Sequence, residues 1–314
     1  MKLRQYFAAL VPADVVTISF FLFLTFLNIV FQTRVEQWWI LVPVNLAVVC
    51  FITLLAFHAE TKRTPLLVGL HRWYLYVAVL STFKEIYLMV HPIHPIDYDD
   101  LFIAIDFWMF GVNPTEWFFQ FAHPIITEIL QVAYFSYYII FIILGVELYR
   151  RYPIETFDRA AFMIVYGFYL SYLGYFLLPA VGPRFMLHDF FATDAELPGL
   201  LFAEPFRHFI NWAESIPANV PNPKDFVQRD VFPSGHTQLA LVVMYLAFKN
   251  RVRNRWLITI ITTLMIIGTV YLRYHYVIDL VAGVLFFWFT IWSGKKLEPW
   301  WNKKRTTIGK TMAM

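Results

Sequence analysis

Two short stretches near the C-terminal end decide the fold and the site. One reads Phe232-Pro233-Ser234-Gly235-His236-Thr237, and the other reads Tyr271-Leu272-Arg273-Tyr274-His275-Tyr276-Val277-Ile278-Asp279. Each combines a histidine with small or charged residues, and each lies where a hydrophobic run begins. The sequence predicts that these two helix starts face each other at a membrane surface and form one site.

The composition indicates a membrane protein. Of the 314 residues, 59% are hydrophobic, 20% are aromatic and only 15% are charged, whereas soluble domains carry about a quarter charged residues. The sequence therefore predicts an all-α, polytopic integral membrane helical bundle. The net charge of +3 is small and the basic residues lie in short scattered clusters, so nucleic acid is not an expected partner. The single Cys50 excludes a disulfide framework.

Hydrophobic runs predict about eight transmembrane helices, since a span needs about 20 apolar residues. They lie at roughly 15–32, 38–57, 69–90, 124–148, 159–180, 234–249, 256–273 and 275–293. The abundant aromatic residues are expected to face the membrane or to form interfacial belts. We divide the chain into N-terminal membrane helices with an interfacial segment (1–123), a catalytic helical bundle (124–293) and a basic cytoplasmic tail (294–314).

Loop charges orient these helices. Lys and Arg precede the first predicted helix and cluster after the second, fourth, sixth and eighth, which predicts that both termini are cytoplasmic. The plasma (inner) membrane is the expected location. Amphipathic interfacial helices are expected on the outer face, in Leu101–Trp117 and after Pro205, where the second could form a lid.

The Pro-Ser-Gly-His element suits a phosphate. Free N–H groups and the positive end of a helix dipole at Ser234 to His236 can hold an oxyanion. Gly235 lets a ligand approach the backbone, Ser234 adds a hydroxyl donor, and His236 can move a proton near neutral pH. The alternative reading is an ordinary capped helix start with an interfacial histidine.

His275 and Asp279 are four residues apart, so they share one helix face. The carboxylate can accept the Nδ1–H of the imidazole and leave Nε2 free as a nucleophile. Arg273 can contact phosphate oxygens in a bidentate way. The alternative reading is a His–Asp pair that caps a helix.

Two further basic residues are candidates for phosphate binding. Arg184 follows Gly182 and Pro183 at the outer end of the fifth predicted span, although it could instead contact lipid headgroups. Lys84 lies inside the third span, where a charge is costly, and it could reach a phosphate or extend to the membrane surface.

A metal site is an alternative function for the 91–100 segment. Its candidate ligands are His91, His94, Asp97, Asp99 and Asp100. Because prolines interrupt the segment and helical spacing is absent, a wet acidic loop is the preferred interpretation. We expect no metal and no cofactor.

The two motifs resemble signatures of the type 2 phosphatidic acid phosphatase superfamily, which also includes vanadium haloperoxidases. The matching residues are Pro233-Ser234-Gly235-His236 and His275-Tyr276-Val277-Ile278-Asp279-Leu280-Val281-Ala282-Gly283. The resemblance covers roughly residues 160–293 and implies an antiparallel helical bundle. It also implies that His275 is the nucleophile, Asp279 orients it, and His236 acts as acid and then base.

The chain departs from that family's pattern at two positions. Leu177 stands where the first motif has Lys, and Thr269 stands where the third motif has Arg, which Arg273 could replace. Together with Gly182-Pro183-Arg184 and Asp106…Phe110-Gly111…Pro114, these departures resemble the branch of inositolphosphoryl-ceramide and sphingomyelin synthases.

The predicted function is that of a membrane lipid phosphatase at the outer face, with a phosphohistidine intermediate. Its partners would be a lipid phosphate or phospholipid substrate and the surrounding membrane lipids. The alternative is a transferase that moves a phosphoalcohol headgroup onto a lipid alcohol acceptor. A transporter is disfavoured because the histidines lie at helix ends rather than at the midplane. A serine hydrolase is disfavoured because Ser234 is not in a Gly-x-Ser-x-Gly elbow.

Overall fold

The computed structural model describes residues 2–313, with side chains from Arg4 to Ile308. The side chains of Lys2 and Lys310, part of the charge argument above, and Met314 at the end of the predicted tail lie outside the described residues. Residues 2–313 contain helices and no strand, which confirms the all-α prediction. The α-helices are α1 (Lys2–Ala9), α2 (Pro12–Val30), α3 (Trp38–Lys62), α4 (Pro65–Ile93), α5 (Asp99–Phe110), α6 (Pro114–Phe119), α7 (Pro124–Phe135), α8 (Tyr137–Arg151), α9 (Ile154–Leu177), α10 (Pro183–Met186), α11 (Thr193–Glu196), α12 (Ala203–Ala213), α13 (Gly235–Lys249), α14 (Arg255–Tyr271) and α15 (Val277–Ala313).

Several of the described helices can cross a membrane, as expected for an integral membrane protein. Five are long and apolar enough: α2, α3, α4, α9 and the Val277–Ile308 part of α15. The bent pair of α7 and α8 would be a sixth. The predicted count of about eight is not confirmed, because α13 has 15 residues and α14 has 17, fewer than the roughly 20 that a span needs.

The predicted span 124–148 is two helices joined at Ser136. α7 and α8 differ in direction by 53°. The Ser136 hydroxyl donates a hydrogen bond to the Ala133 carbonyl (2.5 Å), and such back-bonding by serine bends helices. This bend has a consequence for the site, because it turns the residues on either side of Ser136.

The chain divides into two compact units that interleave along the sequence. The first comprises Met1–Ile93, Tyr152–Leu170 and Trp288–Met314, and the second comprises His94–Arg151 and Ser171–Phe287. α9 and α15 each contribute residues to both units. The functional division at residues 123 and 293 stays a prediction.

Buried amides in the first unit pair with an intramembrane carboxylate. The Nδ2 groups of Asn28 and Asn45 donate to Glu85 Oε1, at 3.0 Å and 2.7 Å. These bonds join α2, α3 and α4, since each helix supplies one of the three residues. Interhelical hydrogen bonds of this kind stabilise helix association in a membrane. Glu85 therefore has a structural role in the first unit.

In the second unit, α7 packs against α12 and α14, and α13 packs against α14. A buried apolar cluster fills the space beside α7 with Leu130, Tyr134, Leu197, Ile210, Tyr271, Leu272 and Tyr274. Leu272 and Tyr274 come directly before His275 in the chain. The packing of this cluster therefore fixes the approach of the chain to the second motif.

The two amphipathic segments predicted from the sequence form helices in the second unit. α12 covers the segment after Pro205, and its start is fixed by Glu128, whose carboxylate accepts from the N–H groups of Leu200 (2.8 Å) and Phe202 (2.6 Å). Leu101–Trp117 forms α5 and most of α6, separated by Gly111 at φ +71°. Glycine adopts this left-handed conformation without strain. Their location in the membrane interface stays a prediction.

Candidate active site

Ser234 caps the helix that carries His236. Its Oγ accepts a hydrogen bond from the Thr237 N–H (3.2 Å), which satisfies one of the unpaired donors of α13. The Ser234 side chain is fully buried. Because Oγ only accepts in this bond, the hydroxyl proton can still be donated. The assignment of Ser234 as a phosphate-binding residue stays a prediction.

Gly235 is required by the tyrosine hydroxyls around it. A Cβ at this position would lie 2.7 Å from Tyr175 Oη and 3.8 Å from Tyr137 Oη. The first of these distances is a clash, so any side chain at residue 235 would displace Tyr175. Hydroxyl groups thus line the start of α13, at the place where we expected a ligand to approach the backbone.

His275 and Asp279 lie within ion-pair distance, as their spacing predicts. His275 Nδ1 is 3.5 Å from Asp279 Oδ2, and Oδ2 also accepts from the Tyr276 N–H (2.8 Å). A small approach of the His275 and Asp279 side chains from this distance would form the orienting hydrogen bond. Burial lowers the pKa of His275, which precedes the span of α15, to about 3. The imidazole is therefore neutral near pH 7.

The two histidines of the two motifs are in contact. His275 Nε2 lies 3.3 Å from His236 Nδ1, across 39 residues of sequence. The ring centroids are 5.5 Å apart and the rings are inclined at 64°. The structure thus brings together the proposed nucleophile and the proposed acid. It also identifies Nδ1 as the atom of His236 that faces the nucleophile.

Close packing of α15 against α13 brings the motifs together. The Ser234 N–H donates to the Asp279 carbonyl oxygen (3.0 Å). A Cβ at Gly283 would lie 2.8 Å from the Ser234 carbonyl oxygen and 3.0 Å from Thr237 Cβ. The absence of a side chain at Gly283 therefore allows the two helix starts to touch.

Two tyrosines hold the His236 ring from the bend at Ser136. The Tyr134 ring stacks on His236 with centroids 4.4 Å apart, and the Tyr137 ring lies 4.2 Å away at 39°. The sequence predicts aromatic residues here to be membrane-facing, and for these two that prediction is wrong. Tyr134 lies near the end of α7 and Tyr137 begins α8, so the bend between the two helices places both rings against His236, and only the fold shows this.

Asp106 caps the helix that follows His275. Its carboxylate accepts from the N–H groups of Val277 (2.7 Å) and Ile278 (2.9 Å), so residues of α5 and α15 are joined. Burial raises the pKa of Asp106, and the two N–H bonds lower it. From the sequence, Asp106 is notable only as part of a stretch that resembles the synthase branch of the family. Its position makes it a positioning residue for His275.

Asp99 fixes the loop that leads to Arg184. It accepts from the N–H groups of Val181 (3.0 Å) and Gly182 (2.8 Å), and from the Tyr276 hydroxyl (2.8 Å). Gly182 has φ +99°, and a Cβ there would lie 2.9 Å from the Tyr274 carbonyl oxygen. The loop therefore reaches the second motif only with glycine at residue 182.

Arg184 lies beside the histidines. Its N–H donates to the Arg273 carbonyl oxygen (3.1 Å), and its charge, after burial, contributes to the low pKa of His275. The guanidinium pairs with Glu214, donates to Asn211 Oδ1 (2.9 Å) and lies 4.8 Å from the centre of the Tyr274 ring. Burial acts to lower the pKa of Arg184, but Glu214 raises it overall. Arg184 is thus a buried, charged group at the predicted site.

Arg273 has a different environment from Arg184. Its backbone is left-handed (φ +67°), and its buried side chain pairs with Glu196 and lies 5.2 Å from the Phe119 ring. Its Nε has no partner among the described residues. At Thr269 the hydroxyl donates to the Ile266 carbonyl of its own helix (2.7 Å). That Arg273 replaces the arginine missing at Thr269 stays a prediction.

Lys84 belongs to the first unit, where its side chain is exposed on α4. The remaining predicted site residues all belong to the second unit. These are Arg184, Ser234, Gly235, His236, Arg273, His275 and Asp279. The role of Lys84 in phosphate binding stays a prediction.

The groups of the alternative metal site have other partners. His94 Nδ1 lies 3.0 Å from the Phe176 carbonyl oxygen, and Asp97 lies 3.4 Å from Arg229 Nε. Asp99 is used by the loop described above. These contacts give His94, Asp97 and Asp99 separate partners, and the absence of a metal in the 91–100 segment stays a prediction.

A cavity of about 430 Å³ opens beside Arg184. Among its lining residues are Arg184, Tyr274, Asn211, Trp212, Phe191 and Arg207. It combines guanidinium and amide groups with aromatic faces, and most of these residues come from the connection between α9 and α13. This cavity can hold a polar group linked to a phosphate at Arg184.

A comparison with protein families supports the motif assignment. A family model described as the PAP2 superfamily matches residues 102–293, which is more than half of the chain. The matched range includes Asp106, Arg184 and both histidine motifs. Curated proteins and solved structures gave no significant match.

Proposed function

This chain belongs to the PAP2 superfamily, whose members are generally phosphatases, and we propose that it cleaves a lipid phosphate ester through a phosphohistidine at His275. One observation carries the proposal: His275 Nε2 and His236 Nδ1, from the two motifs, lie 3.3 Å apart. Two imidazoles in contact provide a nucleophile and a proton donor for one phosphorus centre.

The first step transfers the phosphoryl group to the enzyme. The lone pair of His275 Nε2 attacks phosphorus, and the bond to the leaving alcohol oxygen breaks. His236 gives its Nδ1 proton to that oxygen. Asp279 stabilises the proton on His275 Nδ1, where positive charge develops, as the carboxylate does in the serine-hydrolase triad.

The second step restores the enzyme. His236, now neutral, removes a proton from water as the water oxygen attacks the phosphorus. The bond from phosphorus to Nε2 breaks, and its electron pair returns to His275. Arg184, the hydroxyl of Ser234 and the N–H groups at the start of α13 would stabilise the charged oxygens. The products are a lipid alcohol and a phosphate.

The resting arrangement must open to admit substrate. In-line attack needs about 3 Å from the nucleophile to phosphorus, and the leaving oxygen needs a further hydrogen bond of about 2.8 Å to its acid. The present separation of 3.3 Å between the histidine nitrogens is shorter than that sum. Substrate would therefore enter between the two rings and replace the contact between them.

The proposal includes a membrane orientation. With both termini in the cytoplasm, the starts of α13 and α15 would lie at the outer face of the plasma (inner) membrane. The support is the alternation of basic loops in the sequence. Labelling of single cysteines placed at the exposed residues 100 and 253 in intact cells, after replacement of Cys50, tests this orientation.

A direct test of the chemistry uses protein purified in detergent, with lipid phosphate esters as substrates and His275→Ala as the blank. Phosphate, free or still esterified to a second alcohol when the substrate is a diester, and a phosphoenzyme that is stable in base and labile in acid are expected from the native protein alone. Equal turnover by His275→Ala would overturn the mechanism.

A second candidate function is transfer of a phosphoalcohol headgroup to a lipid alcohol. The cavity of about 430 Å³ beside Arg184 favours it, because a headgroup needs such a space. The same assay with an added lipid alcohol, for example ceramide or diacylglycerol, separates the two functions. A new headgroup-bearing lipid indicates a transferase, and free phosphate indicates a phosphatase.

A further inference from the structure

Both arginines near the second motif have carboxylate partners from one connecting segment. Arg184 pairs with Glu214 at the C-terminal end of α12, and Arg273 pairs with Glu196 at the end of α11. The Arg184 and Glu214 side chains are only 6% and 13% exposed. A buried ion pair of this kind is weakly screened, so the carboxylate cancels most of the charge that Arg184 would offer to a ligand.

Most of the positively charged side chains near His275 are paired with carboxylates, which leaves little net positive charge at the site. Arg207, which lines the same cavity as Arg184, also has a carboxylate partner, Asp194. His275 is neutral near pH 7, and Asp279 lies beside it. Among the described residues of the second unit, what remains is the single positive charge of the proton that the mechanism needs on His236, together with the start of α13, and a helix start carries the equivalent of about half a positive charge.

A phosphate monoester and a phosphate diester differ in charge. The second ionisation of a monoester has a pKa of about 6, so it is mostly a dianion at neutral pH. A diester has no second ionisation and carries a single negative charge. A site whose arginines are already neutralised accommodates a monoanion at lower electrostatic cost than a dianion, because an added negative charge would lie next to Glu214.

The cavity independently favours a diester. It adjoins Arg184 and is lined by the amide of Asn211 and the rings of Trp212 and Tyr274. A diester has a second alcohol substituent on phosphorus, and this substituent can fill the space. A monoester has no such group.

We infer that Glu214, supported by Glu196, is a specificity-determining residue that selects a monoanionic phosphodiester of a lipid over a dianionic monoester. The inference rests on the proposed function, since it names the substrate class of the same site. In the reaction, the ester bond to one alcohol breaks, and the second alcohol stays on the phosphorus bound to His275.

The test compares two donors in detergent micelles, diacylglycerol monophosphate and a diacylglycerol phosphodiester with a polyol headgroup. We would measure kcat/KM for each with the native protein, Glu214→Gln and Glu196→Gln. Glu204→Gln is the matched control, because Glu204 lies on α12 with its side chain 68% exposed. Glutamine keeps a hydrogen-bond acceptor for Arg184 and removes only the charge.

The native protein is expected to prefer the diester. Glu214→Gln should raise the monoester-to-diester ratio of kcat/KM by roughly tenfold or more, since one negative charge beside the phosphate is removed. Glu196→Gln should raise the ratio less, because Glu196 pairs with Arg273, whereas Arg184 is the arginine whose charge acts on His275. Glu204→Gln should leave the ratio unchanged. A native preference for the monoester, or an unchanged ratio in a folded Glu214→Gln protein, would overturn the inference.

A second measurement needs no variant and covers the case in which Glu214→Gln fails to fold. For the native protein, monoester turnover relative to diester turnover should fall as the pH rises from 5 to 8, because the monoester becomes a dianion near pH 6. A constant or rising ratio contradicts the inference. If the native protein cleaves neither donor above the His275→Ala blank, it is the proposed function that fails.

Discussion

The starts of α13 and α15 carry the two histidines, and they are built in different ways. α13 is capped from within its own motif, because Ser234 accepts from the Thr237 N–H (3.2 Å). At α15, Asp279 accepts locally from the Tyr276 N–H (2.8 Å), but the first N–H groups of the helix are capped from far away, because Asp106 accepts from the Val277 N–H across 171 residues (2.7 Å). The acid thus has a local support, whereas the nucleophile depends on a separate helix, α5.

Because of this difference, we expect the starts of α13 and α15 to respond differently to the loss of their caps. Loss of the local cap at α13 weakens one helix turn. Loss of the distant cap at α15 releases the segment that carries His275 and Asp279.

Replacement of His275 removes the proposed nucleophile at the start of α15. His275→Ala should reduce kcat by roughly four orders of magnitude or more, in the range found when a catalytic nucleophile is removed. Steady-state turnover and acid-quenched phosphoenzyme both measure the effect. His58→Ala, on α3 of the first unit, is the control and should keep normal turnover. A phosphoenzyme that persists in His275→Ala would assign the nucleophile elsewhere.

Removal of the distant cap should misplace the nucleophile. Asp106→Ala should lower kcat by about a hundredfold, because a displacement of about 1 Å at a reacting group costs that much. Asp100→Ala is the matched control, since Asp100 lies on the same helix with an exposed side chain. Turnover is measured together with thermal unfolding. Unchanged turnover in a folded Asp106→Ala protein would show that α15 keeps its start without the cap.

Removal of the local cap should have a smaller effect. Ser234→Ala should lower the free energy of unfolding by about 1 kcal/mol, the usual cost of losing an N-cap. The fall in kcat should be about tenfold, because one of the several donors proposed to stabilise the phosphate oxygens is lost. Ser234→Thr keeps the cap and serves as the control. Equal losses in Ser234→Ala and Asp106→Ala would remove the contrast between the two ends.

The reactivity of His275 as a nucleophile should not change between pH 5 and 8. Since burial lowers the pKa of His275 to about 3, its neutral, reactive form persists throughout pH 5–8, and acid should reduce reactivity only as the pH approaches 3. The measurement is phosphoenzyme formation in His236→Gln with a p-nitrophenyl diester, whose leaving group needs no proton. A loss of reactivity on acidification with a midpoint near 6.5 would contradict the low pKa.

Some features follow from local chemistry and were predictable. Apolar runs predict helices, and prolines begin α2, α4 and α7, as expected for a residue whose missing N–H is harmless there. The spacing of His275 and Asp279 places them together because neighbours four residues apart share a helix face. The cap at Ser234 also lies within its own motif.

Other features depend on residues that are distant in the sequence. The residues next to Tyr134 and Tyr137 in the sequence do not predict that these tyrosines contact His236. The contact depends on the bend at Ser136 and on the position of α13. Asp99 and Asp106 look like members of an acidic connection until their carboxylates are seen to accept backbone N–H groups from loops far along the chain.

The amino-acid sequence is enough to predict a helical membrane protein and to identify the two motifs that carry its histidines. The carboxylate partners of Arg184 and Arg273, Glu214 and Glu196, become visible only in the folded protein. The physical reason is that hydrophobic periodicity and helix capping act over a few residues. The net charge at a phosphate site instead depends on all charged groups that folding brings within a few ångströms. These groups can be far apart in the sequence, so the sequence does not reveal which of them pair.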